Sequence, residues 1–321
     1  MKSFKRLIFA LGAFQVARFS YDVGYEIYAR NSREPLNLKN RYGENSYAVV
    51  TGSTDGLGKS YAKEFARRGL NVVLVARNEE KLALVKAELE NDFGVSVRCI
   101  KYDFLNSTNY QSLLEIENQI RDLDVSILVN NVGIFAVNNF VDLTPKEIND
   151  LLVVNTFPTT FLSHAFARNF LKRNKKSAII NVGSENGEVP YAYMQTYSAT
   201  KAFDNQLTKS LIPELQDKID VVLHVPGPTE TPMTNAVGST MDPQVHKLFF
   251  SLFGKLFSSK PNDSVRDVID RLGYDNYIAG TPKHTAAVYV AKAISPLSDY
   301  LRAMHGRFLV DALKEKRERN W

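Results

Sequence analysis

Tyr197-Ser198-Ala199-Thr200-Lys201 puts a phenol and an ammonium four residues apart. On a helix such side chains are neighbours, with about 5–6 Å between their Cβ atoms. A phenol ordinarily titrates near 10, and a nearby cation favours its ionised form. Bringing it to neutrality takes about 4 kcal/mol, at about 1.4 kcal/mol per pH unit, which an adjacent ammonium together with a second positive group could supply in a desolvated site. Such a pair could exchange a proton with a carbonyl or alcohol oxygen. Ser184 stands thirteen residues earlier, at the end of an apolar run, where its hydroxyl could bond the same oxygen. By itself the Y-x-x-x-K spacing more often marks an ordinary surface helix, so the surrounding elements must decide.

A second chemical signal is the glycine turn Thr51-Gly52-Ser53-Thr54-Asp55-Gly56-Leu57-Gly58-Lys59-Ser60, between a short apolar strand and a helix-period segment. Glycines there allow a tight turn and close approach of a pyrophosphate to the helix N-terminus, where free amides and the helix dipole favour an anion. Gly58-Lys59-Ser60 mimics the end of an NTPase phosphate loop, but that motif needs glycine at position 53, which is Ser53. Asp55 would also put a carboxylate inside that cradle. The expectation is a dinucleotide site at Gly52, Ser53, Asp55, Gly56, Leu57 and Gly58. The second strand ends at Val75-Ala76-Arg77-Asn78. An acid usually binds the ribose 2′-hydroxyl at this point; Arg77 suits a 2′-phosphate and so favours NADP(H).

The elements that must position these groups alternate strand and helix. Runs at 46–51, 71–76, 96–103, 125–131, 177–183 and 220–227 are apolar and β-branched, and helix-period segments separate them at about 57–69, 78–92, 110–121, 145–171 and 197–215. Strands apolar on both faces and separated by helices imply a doubly wound parallel α/β sheet covered on both sides, a Rossmann-like single domain. After Pro226 the alternation breaks, and residues 228–283 read as a long insertion, which at that length is usually functional. Val245, Leu248, Phe249, Leu252, Phe253, Leu256 and Phe257 recur there at helical spacing, flanked by Lys247, Lys255 and Lys260. The expectation is a lid over an apolar substrate, with a helix closing over the core as the plainer reading. The domain would then run from 46 to 301, between an N-terminal arm at 1–45 and a C-terminal helical extension ending in the tail 302–321.

Composition narrows the class. The chain has 321 residues, 44% hydrophobic and 23% charged, enough for one large α/β domain. A single cysteine, Cys99, excludes an intrachain disulfide and a multi-cysteine metal site, and the five histidines show no zinc-ligand spacing. The net charge of +5 sits at the ends: +4 in residues 1–40, +3 in 302–321 and −2 in the body between them. A slightly acidic body is no groove for a nucleic acid; basic ends fit a membrane surface, targeting or a partner. The apolar run Leu7–Ala17 is only eleven residues long, short of the roughly 20 that span a bilayer. The arm reads as a membrane-associated anchor, a mitochondrial presequence or a packing helix, and Ala29–Asn45 as a polar link to the domain.

The ordered set Thr51-Gly52-x-x-x-Gly56-x-Gly58, Asn130-Asn131-Val132-Gly133, Asn155, Ser184, Tyr197-x-x-x-Lys201 and Pro226-Gly227 resembles the short-chain dehydrogenase/reductase superfamily, in register over about 46–233. The resemblance implies Tyr197 as the general acid in reduction and Ser184 as the group that orients the carbonyl. Lys201 would lower the phenol's proton affinity and bind the nicotinamide ribose, and Asn155 would help hold a water behind it. For the cofactor it implies Asp103 at the adenine, Asn131, Val132 and Gly133 along the adenosine side, and Pro226, Gly227, Thr229 and Thr231 toward the nicotinamide.

LNLKNRYGENSYAVVTGSTDGLGKSYA, LVARNEEKL and ILVNNVGI further resemble the endoplasmic-reticulum very-long-chain 3-ketoacyl-CoA reductases, a group similar to the type 12 17β-hydroxysteroid dehydrogenases. This implies NADPH-dependent reduction of a long-chain 3-ketoacyl-CoA or a ketosteroid on the cytosolic face of that membrane, with a mitochondrial location as the alternative. A homo-oligomer, or service as an accessory subunit of a larger membrane assembly, is the partner expectation. The chain departs from the subgroup at Pro226–Met233, at Glu185 beside Ser184, and in its short apolar arm. All three departures lie at the substrate or membrane end.

Overall fold

The computed structural model describes residues 2–107, 109–191, 193–234 and 258–293. Seven strands form one parallel sheet: β1 (Tyr47–Thr51), β2 (Asn71–Ala76), β3 (Val97–Lys101), β4 (Val125–Asn130), β5 (Ser177–Val182), β6 (Ile219–His224) and β7 (Tyr277–Ile278). Their spatial order is β3-β2-β1-β4-β5-β6-β7. The interior strands are buried along nearly their whole length because helices cover both faces, which is why their sequences are apolar runs rather than alternations. The helices are α1 (Lys2–Asn31), α2 (Leu38–Tyr42), α3 (Gly56–Arg67), α4 (Glu79–Phe93), α5 (Tyr110–Asn118), α6 (Pro145–Phe170), α7 (Gln195–Leu215), α8 (Pro261–Arg271) and α9 (Pro282–Ala293).

The chain winds outward from β1 through β2 to β3, then returns to place β4 on the other side of β1. This reversal opens a crevice beyond the carboxyl ends of β1 and β4, where open α/β sheets bind ligands. The local signals for the flanking helices are plain. Asn78 caps α4 by accepting from the Lys81 amide, and Gly94 ends it in the left-handed conformation. Thr144 and Glu147 form a reciprocal capping box at the start of α6, with Pro145 in the first turn.

Two segments differ from the reading by composition. Within the polar link, Leu38 and Tyr42 of α2 are buried in the core on one side of the sheet. The Tyr42 hydroxyl and the Arg41 guanidinium both bond Asp220, at 2.7 Å and 2.7–2.8 Å. Buried side chains and an ion pair tie this stretch to the domain more firmly than its polarity suggests. Within the presumed insertion, α8 packs on α3 through Val265, Val268 and Ile269, and β7 extends the sheet. A two-residue strand is too short to show as a hydrophobic run. The lid positions 245–257 and the tail 302–321 lie outside the described residues.

The N-terminal arm is a thirty-residue helix, α1. Its second half docks on α8: Arg271, only 2% exposed, bonds Glu26 at 2.8 and 3.2 Å, and Arg30 pairs with Asp267; just past the two helices, Arg33 reaches Asp275 at 3.0 Å. Its first half carries Phe9, Phe14 and Val16 more than half exposed, and Phe19 follows just beyond the midpoint. Among the described residues no helix is long and apolar enough to cross a membrane.

Candidate active site

The glycine turn closes the crevice on the β1 side. Gly52 and Gly56 both take positive φ, at 63° and 52°. Gly58 is demanded by close approach: a β-carbon there would lie 2.5 Å from the Asn131 amide nitrogen and nearer still to the Gly52 carbonyl oxygen. Asp55 occupies the N-cap of α3 but makes no side-chain cap; its carboxylate pairs instead with Lys81 at 2.7 Å. The first-turn amides of α3 thus receive no acceptor from Asp55, and the positive end of the helix faces the crevice. Ser53 is fully buried, its hydroxyl 3.4 Å from the Val75 carbonyl, and Leu57 packs against the core.

The turn after β4 is latched to this cradle. Thr51 Oγ1 accepts from the amides of Asn131 and Val132 at 2.9 and 3.1 Å, and the Asn131 side chain donates to the carbonyls of Thr51 and Gly52 at 2.9 and 3.3 Å. Asn131 therefore shapes the cradle. At the outer edge a cavity of about 540 Å³ is lined by Arg77, Asn78, Lys101, Asp103 and Asn106. Lys101 is paired with Glu79 at 3.0 Å, and one Asp103 oxygen accepts the Leu105 amide at 3.1 Å. The exposed Arg77 has no hydrogen-bond or ion-pair partner among the described residues.

The other wall comes from α6, α7 and the end of β5. Asn155, fully buried, accepts the Ile134 amide at 2.8 Å and donates to the Ile134 carbonyl and to Thr200 Oγ1, both at 3.0 Å. It therefore staples α6 to the turn after β4 and to α7. A β-carbon on Gly133 would stand 3.4 Å from the Asn155 amide oxygen and 3.8 Å from Lys201 Nζ, so that turn meets both side chains. Lys201 Nζ, 5% exposed as a residue, donates to the Val182 carbonyl at 2.9 Å and to Asp204 Oδ2 at 3.0 Å. Burial acts to lower the ammonium's pKa, but the Asp204 carboxylate and the Tyr197 oxygen outweigh it and hold the value above the usual one.

Val182 leads directly into Ser184. The Ser184 hydroxyl accepts the Asn186 amide at 3.2 Å, which leaves its hydrogen only a long contact, 3.5 Å, to Asn186 Oδ1. Asn205 of α7 holds the Ser184 backbone from behind, through its amide and carbonyl at 3.4 and 3.1 Å. Tyr197 is half-buried with its ring edge-on to Phe135, centroids 4.8 Å apart. The sequence-predicted Asn155, Ser184, Tyr197 and Lys201 thus lie on elements bonded directly to one another.

The loop after β6 completes the floor. Pro226 accepts the Glu185 amide at 3.2 Å, Thr229 donates to the Gly227 carbonyl at 2.9 Å, and a Gly56 β-carbon would meet the Thr231 methyl at 3.1 Å. His284, fully buried, supports this loop through the Pro228 carbonyl at 3.0 Å and Ser259 at 2.8 Å. Glu185 stands against Gly227, where burial pushes its carboxyl up to about 7. Four contributors went unpicked by motif: Phe135, Thr200, Asp204 and His284. Only Asp204 had a usable signal, as an acid three residues after Lys201 on the same helical face.

A parallel sheet with a glycine-lined, uncapped helix terminus at its switch point and a Tyr/Lys pair on the opposite wall defines a dinucleotide-binding α/β protein of the oxidoreductase kind. The short chain dehydrogenase profile matches residues 46–242. A very-long-chain 3-oxoacyl-CoA reductase of Caenorhabditis elegans is 36% identical over 247 residues, spanning 75% of this chain and 74% of that one. Over a shorter stretch, 57% of this chain and 54% of that one, the Homo sapiens protein named inactive hydroxysteroid dehydrogenase-like protein 1 is also 36% identical. Among solved structures, a short-chain dehydrogenase from Sphingobium yanoikuyae in complex with NADPH has a TM-score of 0.64 and 30% identity, covering 78% of this chain and 94% of its own. The chain belongs to the short-chain dehydrogenase/reductase family.

Proposed function

We propose that this protein uses NADP(H) to reduce a carbonyl on a hydrophobic substrate, a long-chain 3-ketoacyl-CoA in the first place and a ketosteroid in the second. The observation that carries the reading is the convergence of Ser184, Tyr197 and a buried, charged Lys201 opposite an uncapped helix terminus. Gly52 to Gly58 and the first-turn amides of α3 hold the pyrophosphate, Asp103 and Asn131 to Gly133 border the adenosine, and Arg77 takes the 2′-phosphate. Pro226, Gly227 and Thr229 border the nicotinamide, which when bound supplies the hydride. Ser184 gives up its long contact to Asn186 and donates its hydrogen to the substrate oxygen. Tyr197 hands that oxygen its proton, and the Lys201 charge steadies the phenolate left behind. Asn155 keeps α6, α7 and the turn after β4 in register so that these groups stay aimed.

The names of the relatives support the acyl-CoA choice. The exposed apolar half of α1 fits a protein that rests on a membrane surface, in keeping with a location on the cytosolic side of the endoplasmic reticulum. The test is NADPH consumption by wild type and Tyr197→Phe with a long-chain 3-ketoacyl-CoA, a 17-ketosteroid, and NADH as the control cofactor. Turnover with NADPH that the substitution abolishes supports the reading. Tight NADPH binding without turnover on either substrate would favour the second reading, an accessory subunit that docks through α1; its exposed aromatic side chains are the observation that keeps it open.

A further inference from the structure

The deepest charged pair among the described residues near this site is Lys201 with Asp204, Nζ to Oδ2 3.0 Å, side chains 6% and 1% exposed. Burying two charges is costly even when they pair, and here the second carboxylate oxygen, Asp204 Oδ1, has no hydrogen-bond partner. The pair lies one turn along α7 from Tyr197, and Lys201 and Tyr197 interact electrostatically.

We propose that Asp204 is a positioning residue: it draws the Lys201 ammonium toward β5 and offsets its charge, so that Tyr197 keeps its proton and the site is set for reduction rather than oxidation. The inference rests on the functional reading above. A lone buried ammonium presents a full unit charge to the phenol, whereas the Lys201–Asp204 pair presents a dipole whose field falls off faster. The same carboxylate keeps Lys201 protonated in a dry site, since burial alone acts to strip its proton.

Few other ionisable groups bear on this balance. α6 presents Asn155, Thr159 and Ser163, which are uncharged, and β5 presents Asn181 and the Val182 carbonyl. On the turn after β5, Glu188 is bound by Asn205 at 3.0 Å and Lys209 at 2.7 Å, while Glu185 stands against Gly227. On β6, His224 turns its ring to Tyr61 and Ser264, at 2.9 and 3.0 Å.

Asp204→Asn keeps the shape and removes the charge. Both consequences then share a sign: the phenol feels the whole ammonium, and the ammonium loses the partner that keeps it protonated. The alkaline limb of NADPH-dependent reduction is expected to move down by about one pH unit, the scale of a unit charge several ångströms away at an effective dielectric near 20. Independently of turnover, at a pH below that limb, where Lys201 still holds its proton, the uncompensated positive charge should disfavour the cationic ring of NADP⁺. The ratio of its Kd to that of NADPH, measured by fluorescence titration, should rise about fivefold or more. Asp204→Ser, also neutral, provides the same comparison should the asparagine variant fold poorly, and Asp204→Glu should restore both values. A purely structural Asp204 would lower kcat and Tm while leaving limb and ratio unchanged, and that result overturns the proposal. If wild type turns over no carbonyl, the functional reading fails while the Kd ratio still tests the charge effect.

Discussion

Arg77 offers the cleanest test of cofactor choice, because it is idle in the protein itself. It is exposed, lines the 540 Å³ cavity and has no partner among the described residues, so Arg77→Ala breaks no internal bond. Its neighbours are committed: Lys101 to Glu79, Lys81 to Asp55, Asp103 to the Leu105 amide. No second cation lining the cavity is free to replace it. A charge-assisted bond to a phosphate contributes about 1.5–3 kcal/mol, and exposure to solvent puts this one at the low end. Since about 1.4 kcal/mol is tenfold, NADPH should bind about 10- to 30-fold more weakly to the variant. NADH lacks the 2′-phosphate and should change by less than about threefold. Nucleotide fluorescence titration at low salt reads both constants. The difference should shrink at about 1 M salt, where the screening length falls to about 3 Å. Equal losses for the two nucleotides, or none for either, would refute the assignment.

Other consequences are open to direct measurement. Arg271→Ala removes the cation shared by Glu26, Asp267 and Asp275, which keep only Arg30 and Arg33, so the domain should lose about 2–3 kcal/mol and loosen α1 toward proteolysis. Burial beside His284 pushes His224 down to about 3. The folded state therefore binds this proton later than the unfolded chain, and stability should drain away as pH falls from about 6.5 toward 3, a slope that thermal melts of His224→Gln would lack. Glu185 has the opposite sign. Its carboxyl, raised to about 7, lowers stability as pH climbs from about 4.5 through 7, so Glu185→Gln should gain about 1–2 kcal/mol at pH 8 and nothing at pH 4. Replacing Phe9, Phe14 and Val16 by serine should abolish cosedimentation with anionic lipid vesicles while leaving the Tm within about 2 °C, because these side chains are more than half exposed.

The strands and helices of the nucleotide half were legible because their signals are local. Burial on both faces forces continuous apolar runs such as Asn71–Ala76, and helix limits are written in caps such as Asn78 and Thr144. The candidate site was legible for a related reason: the glycines follow the first strand and the Tyr/Lys pair sits one helical turn apart after the fifth, so each spacing gained meaning from the elements around it. What composition misjudged were segments whose fate depends on distant partners. Leu38 and Tyr42 sit in a polar stretch, yet both are buried in the core, where Tyr42 meets Asp220, 178 residues away. Arg271 looks like a surface residue in a charged helix until Glu26 closes over it.

From sequence alone, then, come the parallel sheet, the glycine turn and the Tyr197/Lys201 pair with Ser184 upstream, each written in short-range pattern, while Asn155 was singled out only by family resemblance. Tertiary structure decided the rest. Only packing reveals that Asn131 braces the cradle, that Asn155 bonds three elements together, that His284 supports the loop after β6 and that Asp204 holds Lys201. A side chain's partner is set by which surfaces meet when the helices close on the sheet, and the bonds that result link residues with no regular separation along the chain.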